Sequence, residues 1–190
     1  LAEVHVLDQV SQDQLRPLLR SEYDELIRLG RFEGEKIELL FGVLVRMTPI
    51  GPPHSSTVVR VSNLFARLLS DDRASVRSQQ PFAALPDSEP EPDLVIAPPG
   101  EYATEHPETT WLVIEVSDSS LAKDRGLKQR LYALAGVPEY WIVNLVDGVI
   151  EVHTQPENGA YASVTRHAKG ETLHPRELPD LAIEVDQILP

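Results

Sequence analysis

Two carboxylates stand where a carboxylate is hard to keep. Asp93 follows Pro92 and opens the apolar run Leu94-Val95-Ile96-Ala97, and Glu115 lies inside Trp111-Leu112-Val113-Ile114-Glu115-Val116. Continuous apolar runs of this length read as central strands covered on both faces. A charged group in such a strand is unfavourable unless it is paired or bound to a metal. Strand alternation puts Trp111, Val113 and Glu115 on one face and Leu112, Ile114 and Val116 on the other. If the two strands are neighbours, Asp93 and Glu115 point into one site. Two convergent carboxylates make a hard oxygen site suited to magnesium or manganese. The pattern equally allows two acids at strand ends that simply reach water.

A third element follows. In Lys123-Asp124-Arg125-Gly126-Leu127-Lys128, Asp124 and Lys128 are four residues apart on one helical face, with Tyr132 one turn further on. One reading is a solvent-exposed ion pair of little energetic weight. In the other, Lys128 reaches the carboxylates and orients or polarises a metal-bound water, since a compact ammonium on a long stem can neutralise developing negative charge.

The elements that must position these groups can be sketched from the pattern. Ser21–Leu29 reads as a helix with Ser21 and Asp24 as a shortened capping box, and Gln12–Arg20 as an earlier helix weakened by Pro17. Lys36–Met47, broken by Gly42, reads as a β-hairpin. Pro49, Pro52 and Pro53 predict a loop, followed by a helix over His54–Ser70 with Val58, Val61, Phe65 and Leu68 in one stripe. Strands are expected at Ser75–Gln80, Asp93–Ala97 and Trp111–Val116. A helix follows at Leu121–Ala135, with Leu127, Leu131 and Leu134 as its core stripe and Gly136 and Pro138 ending it. Tyr140–Asn144 and Val149–Thr154 should pair through Asp147-Gly148, and further strands are expected at Ala160–His167 and Leu181–Val185. Trp111, Trp141 and Phe65 read as core. The whole predicts one α/β domain over 1–190, its order helix, three strands, helix, strand, with extra hairpins at both ends.

Composition narrows the chemistry. The 190 residues contain no cysteine, which excludes a disulfide scaffold, thiolate zinc and a cysteine nucleophile and fits a reducing, cytoplasmic setting. No apolar run approaches a membrane span. Leu1–Val10 carries Glu3 and Asp8 and has no basic segment, unlike a secretory signal. Seventeen basic residues stand against 30 acidic, a formal charge of −13. That excludes a nonspecific cationic coat for nucleic acid.

Taken together, Pro92-Asp93, Glu115-Val116-Ser117-Asp118-Ser119-Ser120, Asp124-Arg125-Gly126-x-Lys128, Tyr132 and Gly136-Val137-Pro138-Glu139-Tyr140-Trp141-Ile142-Val143 resemble the Uma-two family of restriction-endonuclease-like proteins, within the PD-(D/E)XK nuclease superfamily. Upstream, Glu38-Leu39-Leu40-x-Gly42, Met47-x-Pro49 and His54 agree, so the resemblance runs from about Tyr23 to Leu189. It implies a restriction-endonuclease-like core (αβββαβ, a mixed central sheet flanked by helices). It also implies a magnesium- or manganese-dependent endonuclease acting on nucleic acid, with DNA the expected substrate. Asp93 and Glu115 would match the superfamily's metal-binding acids. The superfamily lysine falls two residues after that glutamate, where this chain has Ser117; Lys128 is the candidate for a lysine displaced to the next helix. The resemblance turns Glu38, otherwise an outward-facing strand residue, into a third site carboxylate. His54 remains a ligand, a phosphate contact or a helix-start residue.

Net charge opposes this reading, because a strongly acidic protein repels DNA and screening acts only beyond about 10 Å at 0.1 M salt. A local cationic strip is therefore expected, from Arg60, Arg67, Arg73 and Arg77 or from Lys123, Arg125 and Arg130. The missing lysine at 117 and the acidic exterior favour one alternative, a non-catalytic nuclease-like binding or regulatory module; a second, a hydrolase of small phosphodiesters or structured RNA, would tolerate the acidic exterior better than an enzyme acting on duplex DNA. Cutting two strands would favour a homodimer.

Overall fold

A computed structural model describes residue 11 and residues 14–190. The expectation for Leu1–Val10, and the Gln12–Asp13 part of the expected first helix, lie outside the described residues. The apolar runs form the middle of a six-stranded sheet. In chain order the elements are α1 (Arg20–Arg28), β1 (Ile37–Leu40), β2 (Val43–Arg46), α2 (Pro52–Leu68), β3 (Ser75–Ser78), β4 (Leu94–Ala97) and β5 (Leu112–Ser117). Next, α3 (Leu121–Lys123) runs through a π-helical turn (Asp124–Lys128) into α4 (Gln129–Leu134). Then come β6 (Glu139–Asn144), β7 (Val149–Glu157), β8 (Ala160–His167), β9 (Thr172–Leu173) and β10 (Ile183–Glu184).

The sheet order is β3-β4-β5-β6-β7-β8, and β5–β6 is the parallel pair in an otherwise antiparallel sheet. A parallel pair needs a crossover, and α3–α4 provides it. From α2 to β6 the order is αβββαβ, as expected. Alternation divides the core into two layers. Leu94, Ile96, Leu112, Ile114, Val116, Trp141 and Val143 pack with Val58, Val61 and Phe65 of α2. Val95, Ala97, Val113, Tyr140 and Ile142 pack with Leu131 and Tyr132 of α4. Among the described residues, no helix is long and apolar enough to cross a membrane.

Several local expectations are corrected. Leu15–Leu19 is not helical. The helix begins at Arg20, so the residue reaching back to its start is Glu22, which accepts from the Leu19 N–H at 3.0 Å, and not Asp24. Pro52 and Pro53 sit inside the first turn of α2, where a missing N–H leaves no hydrogen bond unmade. Leu127 and Leu134 are exposed, 40% and 45%. The buried face of that crossover is Asp124, Lys128, Leu131 and Tyr132: the polar side chains satisfy one another and take the interior. Trp111 lies outside β5 and packs against the α2 layer. The last predicted strand shrinks to the two residues of β10.

The β1–β2 hairpin matters because it carries Glu38. Its two-residue turn, Phe41-Gly42, has positive φ at both positions (50° and 75°), the conformation that matches strand twist. The Gly42 carbonyl accepts from Leu18 N–H at 3.1 Å, and its N–H donates to the Asp87 carbonyl at 2.7 Å. A Cβ at position 42 would stand 2.2 Å from the Pro17 Cβ. Gly42→Ala is therefore expected to cost at least about 1–2 kcal/mol from backbone conformation alone, with the clash in addition. Chemical denaturation checks this, and an unchanged midpoint would contradict the packing described.

Candidate active site

β4 begins only at Leu94, opposite Ile114, and so leaves the C-terminal part of β5 uncovered, and this creates the site. The ladder stops at Leu94↔Ile114, so the Val116 N–H has no strand partner on that side. It donates to the Asp93 carboxylate (Oδ2) at 2.8 Å, while the Asp93 N–H approaches Glu115 Oε2 at 3.4 Å. The two acids thus face one another on the α4 side of the sheet, both buried. With Glu38, His54, Asp124 and Lys128 they line one open cavity of about 720 Å³.

Lys128 points into this cavity. Its Nζ lies 2.8 Å from Glu115 Oε1 and 2.9 Å from Glu38 Oε2, and the residue is 3% exposed. The exposed-pair reading of Asp124 and Lys128 is thereby corrected. Asp124 is equally buried, and its Oδ2 accepts from the Ser117 and Ser120 hydroxyls at 2.6 Å each. Asp124 and Lys128 bound the π-helical turn, a distortion that recurs at functional sites. Ser117, at the position where the superfamily carries its lysine, holds the start of the turn that brings Lys128 in from the other direction.

Burial dominates the electrostatics. It pushes the Glu115 carboxyl up to about 8, against Lys128 and with help from Asp124 and Asp93. For Lys128 burial works the other way, but Glu115 and Glu38 outweigh it and keep the ammonium protonated. Glu38 would also be raised by burial, yet Lys128 and Lys123 hold it below the usual carboxylate range. The Lys123 Nζ sits 2.7 Å from Glu38 Oε1. Burial lowers His54, and the Asp93 carboxylate, 3.1 Å from its Nε2, more than restores it. His54 is therefore favoured as a cation beside Asp93.

These contacts decide which groups could hold a metal. Glu38 has both oxygens engaged by lysine ammonium groups, while His54 turns Nε2 to Asp93 and keeps Nδ1 buried without a hydrogen-bond partner. Asp93 Oδ1 accepts no hydrogen bond among the described residues, and Glu115 Oε2 has only the long contact above. No group of three or more carboxylate or imidazole side chains is arranged as a metal cage among the described residues. The donor set fits a magnesium-type ion held by two carboxylates and otherwise by water and substrate oxygens, the usual mode for that ion.

Two features were not foreseen. The Tyr132 hydroxyl donates to Glu115 Oε1 at 2.5 Å, a contact that its place one turn beyond Lys128 did not reveal. Ser117 and Ser120 anchor Asp124; the hydroxyl-rich run before the crossover was the available signal. The expected cationic strip is corrected. Arg60 donates to the Leu189 carbonyl at 3.0 Å, and Arg73 pairs with Asp180 at 2.5 Å. Arg77 lies over the Tyr102 ring at 5.3 Å, and Arg130 near the Phe41 ring at 6.0 Å. Arg125 pairs with Glu151 and Asp147, and Lys123 with Glu38. Of the expected strip, exposed Arg67 has no such contact, and outside it the exposed Lys36 and Arg46 line the cavity without a side-chain partner among the described residues.

The sequence from 20 to 186 matches the Uma2 family, described as "Putative restriction endonuclease". No curated protein matches the chain. A solved structure from Anabaena variabilis ATCC 29413, described as "a putative nuclease belonging to DUF820", superposes with a TM-score of 0.66 at 13% identity. The match covers 90% of this chain and 97% of the other. At that identity the likeness shows a shared fold.

Proposed function

This chain belongs to the Uma2 family, and from that premise we propose that it is a divalent-metal-dependent endonuclease hydrolysing phosphodiester bonds in nucleic acid. The observation that carries the reading is Lys128 reaching Glu115 from the helix after β5, beside an Asp93–Glu115 pair with an oxygen to spare on each acid. Magnesium or manganese, when bound there, would polarise a phosphoryl oxygen and lower the pKa of a bound water. Asp93 and Glu115 would hold the ion. Lys128 orients the attacking water and neutralises charge developing on the phosphoryl oxygens. Glu38 positions Lys128, Tyr132 fixes the Glu115 carboxyl, and His54 fixes the Asp93 carboxyl from the other side. DNA as substrate, a homodimer, a cytoplasmic setting and one nuclease-like domain spanning 1–190 belong to the same proposal.

The test is magnesium and manganese titration of the purified protein with two readouts. Cleavage should appear on a panel of duplex DNA, single-stranded DNA and structured RNA, and the melting temperature should rise with metal by mass action. Metal-induced stabilisation without cleavage on any substrate would favour the rival reading, a nuclease-like binding module. Ser117 in place of lysine and the internally paired arginines are the observations that speak for it.

Metal binding should also be pH-dependent. The Glu115 carboxyl titrates near 8, so it is mostly protonated at pH 7 and must lose that proton to become a ligand. Affinity should rise about tenfold per pH unit below about 8 and level off above it. The same shift makes the metal-free protein less stable as pH rises from about 4.5 to about 8, because the folded state holds this proton longer than the unfolded chain. Calorimetry of manganese binding in buffers of different ionisation enthalpy measures the released proton; pH-independent affinity between 6 and 8 would contradict the assignment.

A further inference from the structure

Most basic side chains of this acidic protein are spent on internal contacts. Arg28, Arg31, Lys36, Arg46 and Arg67 are exposed and have no ion pair, side-chain hydrogen bond or aromatic-ring contact among the described residues. Of these, Lys36 and Arg46 line the cavity that holds Asp93 and Glu115. The other cations of that cavity, Lys123 and Lys128, are already paired with its acids.

The β1–β2 hairpin puts the two there. Arg46 is paired with Ile37 in the ladder, and one step further the Met47 N–H donates to the Lys36 carbonyl at 2.9 Å. Both cations therefore stand at the open end of the hairpin. Strand alternation places Lys36 on the face of Glu38 and Arg46 on the opposite face, so they flank that end and do not converge on one partner. The hairpin is braced. Glu38 joins it to the crossover through Lys123 and Lys128, at 2.7 and 2.9 Å, and Leu39 exchanges backbone hydrogen bonds with Glu89 at 3.3 and 2.8 Å. Half-buried Glu91 is the acid on which Lys36 acts, but no ion pair forms between them, and burial raises the Glu91 carboxyl against that attraction. The start of α2 opens on the same cavity at Gly51 and His54, with no side-chain cap and no acid in its first turn, so its dipole adds to the positive side.

We infer that Lys36 and Arg46 hold backbone phosphates next to the scissile one, which makes the β1–β2 hairpin the element that grips the substrate strand. The inference rests on the nucleic-acid reading of the site given above. An ammonium and a guanidinium both form charge-assisted hydrogen bonds to phosphate oxygens. The metal-binding acids and Lys128 serve the scissile phosphate; its neighbours meet these two cations. With a formal charge of −13 over the chain, the grip is local, on a short stretch of one strand, and not an extended duplex footprint.

The test measures binding apart from cleavage. A short single-stranded DNA with a fluorescent end is titrated with the full chain in the absence of metal, between about 50 and 200 mM salt, and followed by anisotropy. Two phosphate contacts give log affinity a slope of about −1.4 against log salt. Lys36→Gln and Arg46→Gln should each weaken binding by about three- to tenfold and make the slope shallower by about 0.7. Both side chains are exposed, so neither change disturbs a buried contact. Arg67→Gln makes the same change in net charge outside the cavity and should leave affinity and slope unchanged. No binding by the parent, unchanged binding in the two cavity variants, or an equal loss in Arg67→Gln would overturn the inference. Binding that depends on Lys36 and Arg46 in a protein that cuts no substrate would uphold it and defeat phosphodiester hydrolysis. Cleavage at undiminished kcat/KM by the double variant would do the reverse.

Discussion

Asp93→Asn and Glu115→Gln should each abolish metal-dependent cleavage, by about 10³-fold or more, equivalent to about 4 kcal/mol in the barrier, while the protein stays folded. The two changes are not alike in what they leave behind. Burial pushes the Glu115 carboxyl up to about 8 in the metal-free state, so an amide of the same shape replaces a carboxyl that favours its neutral form and keeps an oxygen for Lys128 and Tyr132. Its melting temperature without metal should be nearly that of the parent. Asp93→Asn withdraws a charge from His54, whose Nε2 lies 3.1 Å from the same oxygen, Oδ2, that accepts from the Val116 N–H. It should lower stability modestly as well. In both variants the metal-induced rise in melting temperature should vanish, which separates loss of the ion from loss of a later step. Magnesium-dependent activity that survives either substitution would refute the assignment of the two acids.

Lys128→Met should be the most damaging single change to stability in the site. The replacement is similar in volume, so the effect is electrostatic. Removing one member of a buried charged cluster typically costs about 3–5 kcal/mol because the partners are left uncompensated. Glu38 retains Lys123 at 2.7 Å, and Glu115 can keep its proton, so the loss belongs at the low end, about 3 kcal/mol. For a chain of this length that corresponds to about 6–12 °C in melting temperature. Activity should fall with it, since no other ammonium among the described residues contacts Glu115. The cause can be isolated by adding Glu115→Gln to the lysine variant. If an unpaired Glu115 carboxylate is the damage, the double variant recovers part of the lost stability at pH above 8, and the two effects are non-additive. A melting temperature unchanged by Lys128→Met would mean that the ammonium does not neutralise these acids.

The two results bear on the same design. The site concentrates carboxylates at the open end of β4 and β5 and compensates them with cations from distant segments: Lys128 and Lys123 from the crossover, His54 from the start of α2. Lys123 is committed to Glu38 and His54 to Asp93, while Lys128 is shared by Glu38 and Glu115. A site organised this way can keep Asp93 and Glu115 together in a sparsely hydrated place without a resident ion. Lys36 and Arg46 line the same cavity as exposed cations with no ion pair among the described residues.

Much of this could be read from the residues alone. Uninterrupted apolar runs specify central strands because only a strand covered on both faces tolerates them, and an acid inside such a run is conspicuous whatever surrounds it. That reasoning put both acids at central strands, made their convergence conditional on the strands being neighbours, a condition the β4–β5 ladder meets, and gave the order of elements from α2 to β6. The hairpin around Gly42 was equally legible, because a glycine between two apolar, β-branched runs marks a turn. What the residues could not disclose was which polar groups would be buried together. Leu127 and Leu134 have the more apolar side chains, yet Asp124, Lys128 and Tyr132 take the interior, since the hydroxyls of Ser117 and Ser120 and the carboxylates of Glu38 and Glu115 arrive there from elsewhere in the chain. The same holds for Glu38, a strand residue in isolation and the anchor of two lysines in the folded protein, and for the arginines, whose pairing with far-off acids removed the cationic strip their local spacing suggested. Periodicity is a property of neighbouring residues and survives in the sequence; the neutralisation of one buried charge by another depends on distances across the fold, and only the tertiary structure decides it.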